Sequence, residues 1–171
     1  PPMGGLTAGV SYLDGGAAGD ADGQEFGVSY SMTAGGASVT IAGATGTLEV
    51  SGQDKDRDSQ TMGVKVSAGN ITATVNQATF EDFEDDEEGM AAAVSIKVSD
   101  AMKIGVFTSQ VEDDDSTSLE EYTNTGAELN YTIAPGLSAI INVEDYDYKA
   151  GSTGKVADNG TVSKLTIKAT F

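Results

Sequence analysis

The side chains in this chain with chemistry to offer are carboxylates and lysines. There is no His and no Cys, which removes the commonest general base and any thiolate nucleophile or soft metal ligand. A hydrolase would have to rest on two carboxylates whose environments push their pKa values apart. The acids come instead as runs, Glu81 to Glu88 in one and Glu112 to Asp115 with Glu120 and Glu121 in another. No acid stands in an apolar setting that would raise its pKa, and there is no Trp to form a sugar platform. We therefore expect no catalysis and no obligatory cofactor. Clusters of hard oxygens are what Ca²⁺ or Mg²⁺ requires, so Asp82, Asp85, Asp86, Asp113, Asp114 and Asp115 are candidate divalent-cation ligands in acidic loops. A solvated charge run accounts for the same residues. Asp20-Ala21-Asp22-Gly23 opens like a calcium loop but lacks the flanking helices and the Glu at position twelve.

The lysines are placed more tellingly. Lys65, Lys97, Lys103, Lys164 and Lys168 each fall on the wet face of an alternating strand. Lys55, Arg57, Lys149 and Lys155 fall in stretches that read as long loops. A basic strip along a wet wall attracts anions or orients dipolar solutes. Glu25, Glu128 and Asn130 share that face and temper the attraction. Lysines are also simply common on wet faces.

These side chains need strands to position them, and the chain supplies the pattern. The last stretch, Val162 to Phe171, places Leu165, Ile167, Ala169 and Phe171 on one face and Lys164, Thr166, Lys168 and Thr170 on the other. About ten such segments can be counted, each near the ~9–11 residues of a tilted membrane strand. The first is Leu6–Leu13. The third begins at Ala37, and its extension through Val50 implies a slip or bulge at Gly43 or Gly46. Short turns at Thr33–Gly36, Ala68–Asn70, Ser99–Ala101 and Ala134–Gly136 alternate with long loops at Asp14–Gly23, Ser51–Gln60, Glu81–Glu88, Glu112–Glu121 and Lys149–Thr161. In an up-and-down meander this parity puts every short turn at one rim and every long loop at the other.

Composition leaves few alternatives. At 171 residues the chain is one domain, residues 1–171, with a formal net charge of −18. That charge excludes nucleic-acid partners, whose phosphates need basic patches. Leu, Ile, Val and Phe make up only about a fifth of the residues, a fraction near the disordered boundary. A transmembrane β-barrel reconciles the alternation with that scarcity, because a water-filled barrel needs no packed apolar core. Tyr12, Tyr30, Phe80, Phe83, Tyr122, Tyr131, Tyr146, Tyr148 and Phe171 fall near strand ends, where aromatic girdles meet the membrane interface. Tyr12, Tyr30, Tyr131 and Phe171 are the principal girdle candidates. The rival is a secreted, acidic, calcium-stabilised β-sandwich, such as a surface-layer or adhesin module. It explains the alternation equally well but must fill a close-packed core.

The terminal strand ending on Phe171 resembles that of bacterial outer-membrane porins. Ala91–Val111 and Gly126–Val143, the latter including A-E-L-N-Y-T-I-A-P-G-L-S-A-I-I-N-V, are similar to general diffusion porins of the alphaproteobacterial type. The resemblance implies an all-β antiparallel meander within a larger barrel of sixteen-strand type. It implies passive diffusion of small hydrophilic solutes and ions through a homotrimer, set among the lipid and lipopolysaccharide of the outer membrane. Lys65, Lys97, Lys103, Glu128, Asn130, Lys164 and Lys168 would line the pore. The family's constriction loop has no counterpart here. Pro1-Pro2-Met3-Gly4-Gly5 resembles the turn at Pro135-Gly136, so the expectation is the C-terminal part of a longer barrel.

Overall fold

The computed structural model describes residues 5–14, 21–50, 56–81, 86–115, 118–149 and 157–170. It contains ten strands: β1 Leu6–Leu13, β2 Ala21–Ala34, β3 Ala37–Val50, β4 Arg57–Ala68, β5 Ile71–Glu81, β6 Asp86–Lys97, β7 Met102–Asp115, β8 Ser118–Ala134, β9 Leu137–Lys149 and β10 Asp158–Ala169. They form one antiparallel sheet in the order of the sequence, β1 to β10. The sheet is open, with β1 pairing only β2 and β10 only β9. Among the described residues there is no second sheet and no crossover, which removes the sandwich.

Alternation makes each strand two-faced, and the register keeps the faces aligned across the sheet. Tyr30 pairs with Ile41, Ile41 with Val64, and Val64 with Val75. The same row passes through Ala92, Thr108, Thr125 and Asp145 to Thr161. One face thereby collects Val28, Val64, Val94, Ile104, Leu129, Ile141, Leu165 and Ile167. The other collects most of the glycines together with Lys65, Lys97, Lys103, Lys164 and Lys168. Among the described residues none is buried, and aliphatics such as Val10 at 80% and Leu165 at 66% stand open. A water-soluble fold could not leave so much apolar surface uncovered. In lipid that surface is the solvated one.

That same row shows the strands are tilted. In β1 it crosses the apolar belt at Leu6, beside the turn. In β4 and β5 it crosses mid-belt at Val64 and Val75. In β9 and β10 it has left the belt on the loop side, at Asp145 and Thr161. The belt slides about one residue per strand. With ~3.3 Å per residue and ~4.8 Å between strands, that is a tilt of roughly 30–35°.

One local expectation is corrected. β3 runs through Gly43 and Gly46 without a break, in unbroken register with β2 and β4. Gly46 faces inward with Ala42 and Ala44, Gly43 stands on the apolar face between Val28 and Met62, and neither needs a kink. The irregularity lies between Thr132 and Ala134 instead, where Ile133 is the extra residue. The Pro135-Gly136 turn explains it. Its φ of +79° at Gly136 after a proline is the pattern of a type II turn, whose twist splays a hairpin. A bulge restores the fit.

The strands are also longer than the alternation showed. Residues 57–60, 112–115, 118–121 and 158–161 are strand, not loop, and the acids they carry are held in the sheet beyond the belt.

Candidate functional site

The polar face is hollow. One depression of about 800 Å³ runs across β1 to β7 over small residues that include Gly27, Ala42, Gly63 and Ala91. A second, of about 320 Å³, brings together Lys65 from β4, Lys103 from β7 and Glu128 from β8. A third gathers Lys97, Lys103 and Asn130 at the turn rim. Strands so far apart in sequence share a depression only where the sheet curves around it.

Register confirms that the lysines of the sequence pattern share one face. Lys97 pairs with Lys103, Lys103 with Asn130, Lys164 with Asn142, and Asn142 with Glu128. Lys168 lies opposite Ser138, and Lys65 opposite Thr40 and Thr74. Lys97 is not an isolated charge, for its Nζ lies 2.7 Å from Asp100 Oδ1 in the adjoining turn. That hydrogen bond, reinforced by the lysine's charge, holds the Asp100 carboxyl below its ordinary range. Lys65, Lys103, Lys164 and Lys168 make no ion pair with any described residue.

Two of the remaining basic residues need correction, while Lys55 and Lys155 lie outside the described residues. Arg57 and Lys149 lie in strands, not loops. Arg57 stands on the polar face at its loop end, in the row of Leu48. Lys149 stands on the outward face beyond the belt, 2.8 Å from Glu121 Oε2.

Strand geometry also decides what the acidic runs can do. Successive residues of a strand point to opposite faces. Glu88 and Glu112 therefore face outward, while Glu87 and Asp113 face the hollow. Such a run splits its charges between two surfaces, with Glu88, Glu112 and Glu121 in one row outward and Glu87, Asp113 and Glu120 in one row inward. Among the described residues no three potential metal ligands converge. Asp86 begins β6, and Asp114 and Asp115 close β7 by their backbone. Asp82 and Asp85 lie outside the described residues. On the outward face, neutral donors meet the acids. Gln77 Nε2 donates to Glu88 Oε1 at 2.7 Å, and Thr161 Oγ1 to Asp145 Oδ1 at 2.6 Å.

The aromatics divide by parity. Tyr12, Tyr30 and Tyr131 are on the apolar face, as a girdle requires, while Phe171 and Phe83 lie outside the described residues. Phe80, Tyr122, Tyr146 and Tyr148 are on the polar face with the lysines, so nearness to a strand end misplaced them. Tyr146 lies across Gly160, where an added Cβ would meet its hydroxyl at 3.0 Å, and donates to Asp158 Oδ2 at 3.2 Å. Tyr148 donates to Glu120 Oε2 at 2.6 Å, and Asn124 Nδ2 to Glu144 Oε2 at 3.0 Å. Phe107 covers Gly126 in the same way. Counting the parity of Tyr122 and Tyr146 against Leu129 and Ile141 would have found this cluster from the sequence.

The all-antiparallel meander is shared with solved outer-membrane proteins. The outer-membrane protein OmpT of Vibrio cholerae superposes with a TM-score of 0.70 at 16% identity, over 97% of this chain and 62% of its own. OccAB4 of Acinetobacter baumannii gives 0.75 at 13%, over 98% and 50%. The anion-selective porin of Comamonas acidovorans gives 0.72 at 18%, over 100% and 57%. The chain thus spans between half and about three fifths of these structures. No curated protein matches it by sequence. The Gram-negative porin family model matches residues 1–170, and with that match over nearly its whole length the chain belongs to the Gram-negative porin family of outer-membrane β-barrels.

Proposed function

We propose that this chain forms a large part of the wall of a passive pore for small hydrophilic solutes and ions. One observation carries the reading: an uninterrupted ten-strand sheet with no buried residue among those described, whose apolar side is outward and whose concave side is polar. Such a sheet is stable only with lipid on one side and water on the other. Each free edge would leave backbone groups unpaired in hydrocarbon at several kcal/mol apiece, so further strands close the barrel as one domain. Lys65, Lys97, Lys103, Glu128, Asn130, Lys164 and Lys168 line the water-filled side. Tyr12, Tyr30 and Tyr131 sit at the lipid interface. The acidic outward rim borders the lipopolysaccharide headgroups and holds divalent cations only diffusely. The protein works as a homotrimer and performs no chemistry, since solutes move down their own gradients. Reconstitution of the intact protein into planar bilayers tests this. Discrete conductance steps are expected, and their absence at every voltage would overturn it. Chemical cross-linking in outer-membrane vesicles tests the trimer.

A further inference from the structure

The charges on the hollow face are sorted along the pore axis. Toward the loop rim the face carries Glu87, Asp113, Glu120, Glu144 and Asp158, with Arg57 the one described cation among them. At belt level and toward the turns it carries the five lysines, opposed by Glu128, while Glu25 stands beside Phe26 at the loop end of the belt. The boundary is clearest between β9 and β10. There Glu144 and Asp158 stand on the loop side of Val143 and Leu165, while Lys164 and Lys168 stand level with the aliphatics or below them. Hydrogen bonds hold the acidic end in place, from Tyr148 to Glu120, Tyr146 to Asp158 and Asn124 to Glu144. At the basic end, Lys103, Lys164 and Lys168 make no ion pair with any described residue.

We infer that this wall is an electrostatic gradient that makes the pore directional. The acid–tyrosine mouth enriches cations and the lysine half enriches anions, so the ions available to carry current depend on the direction of the field. Fixed charges of opposite sign in series along a water-filled path rectify when the screening length approaches the pore's own dimensions. They cease to do so when salt shortens it. Small organic ammonium ions, able to meet carboxylates and tyrosine faces together, are the solutes the mouth would favour. Free anions and zwitterions would be drawn carboxylate-first from the turn side.

This rests on the pore reading, and the test separates the two. The intact protein, inserted in one orientation in a planar bilayer, is recorded at equal and opposite voltages. In about 0.1 M KCl the two currents should differ about twofold, and in about 1 M KCl they should converge. Two triple variants remove one end each: Glu120→Gln/Glu144→Gln/Asp158→Asn, and Lys103→Gln/Lys164→Gln/Lys168→Gln. Each should bring the low-salt ratio toward one and shift ion preference in opposite senses, the first toward anions and the second toward cations. Unchanged heat-modifiable gel mobility checks that both fold. Conductance with symmetric low-salt currents, or a ratio that neither variant alters, overturns the gradient and leaves the pore standing. A lack of any conductance overturns both.

Discussion

At the turn rim three hairpins close in two residues each, Gly35-Gly36, Gly69-Asn70 and Pro135-Gly136. Every described residue with positive φ is a glycine on that rim. The turns are also tied sideways. Lys97 N donates to Asn70 O at 2.8 Å, Thr132 N to Ala101 O at 2.8 Å, and Thr170 N to Gly136 O at 2.7 Å. At the loop rim the strands instead outrun the lipid belt and carry carboxylates on both faces, with Thr, Gln and Tyr side chains donating to them. One rim is specified by backbone conformation and the other by solvation. Substitutions should hurt the first through steric strain, whereas at the second, side chains are interchangeable so long as water reaches them.

The largest expected contrast lies along a single strand. Ile104→Lys puts a charge into the belt of β7 and should cost ~2–4 kcal/mol. Glu112→Lys on the same face, past the belt, should leave the denaturant midpoint of the vesicle-folded protein unmoved. Equal losses would mean that the belt has been placed at the wrong height. Next comes a pair of glycines. Gly136→Ala forces a side chain into a φ of +79° with Thr170 O at 2.6 Å from the new Cβ, for about 1–3 kcal/mol. Gly89→Ala, toward the loop rim, meets nothing nearer than 3.8 Å and should unfold like the parent. Strain confined to the turns predicts that difference, and matching midpoints would remove it.

Between the rims, Phe107→Ala uncovers Gly126 and should cost roughly 1 kcal/mol through the lost cross-strand contact. A gain in stability would show the ring to be strained where it lies. The smallest effect belongs to pH. Lys97 lowers the Asp100 carboxyl in the folded protein, so the pair's contribution is complete above the ordinary carboxylate pKa. It fades only as pH falls through the lowered value. With both side chains exposed, no change in midpoint should be measurable between pH 7 and pH 5. A drop in that window that Asp100→Asn abolishes would give this turn a weight its exposure does not support.

Much of this was legible in the residues because a barrel strand writes its two environments in alternation. Leu165, Ile167 and Ala169 against Lys164, Thr166 and Lys168 fixed both the strand and its faces, and turn glycines marked three of the connections. The acidic segments misled for a physical reason. Glu112–Asp115 and Asp158–Thr161 have poor strand propensity and high charge, yet they continue as strand because each pairs with a neighbour that begins inside the belt. The tyrosine wall was missed because position along the strand was weighed before parity. The bulge at Ile133 follows from turn geometry, which the letters Pro-Gly imply only once the pairing is known.

Every strand touches only the strands next to it in sequence. A globular domain ties all its elements to a shared centre, so that losing one loosens the rest. This sheet behaves more like a chain of nearest-neighbour links, as repeat proteins do. Its natural unit of change is the hairpin. A duplicated or deleted pair of strands, joined through a two-residue turn such as Gly35-Gly36, alters the circumference of the pore and leaves distant registers intact. Lineages built on this plan can vary bore size in steps of two strands while keeping each wall segment's charges as they were.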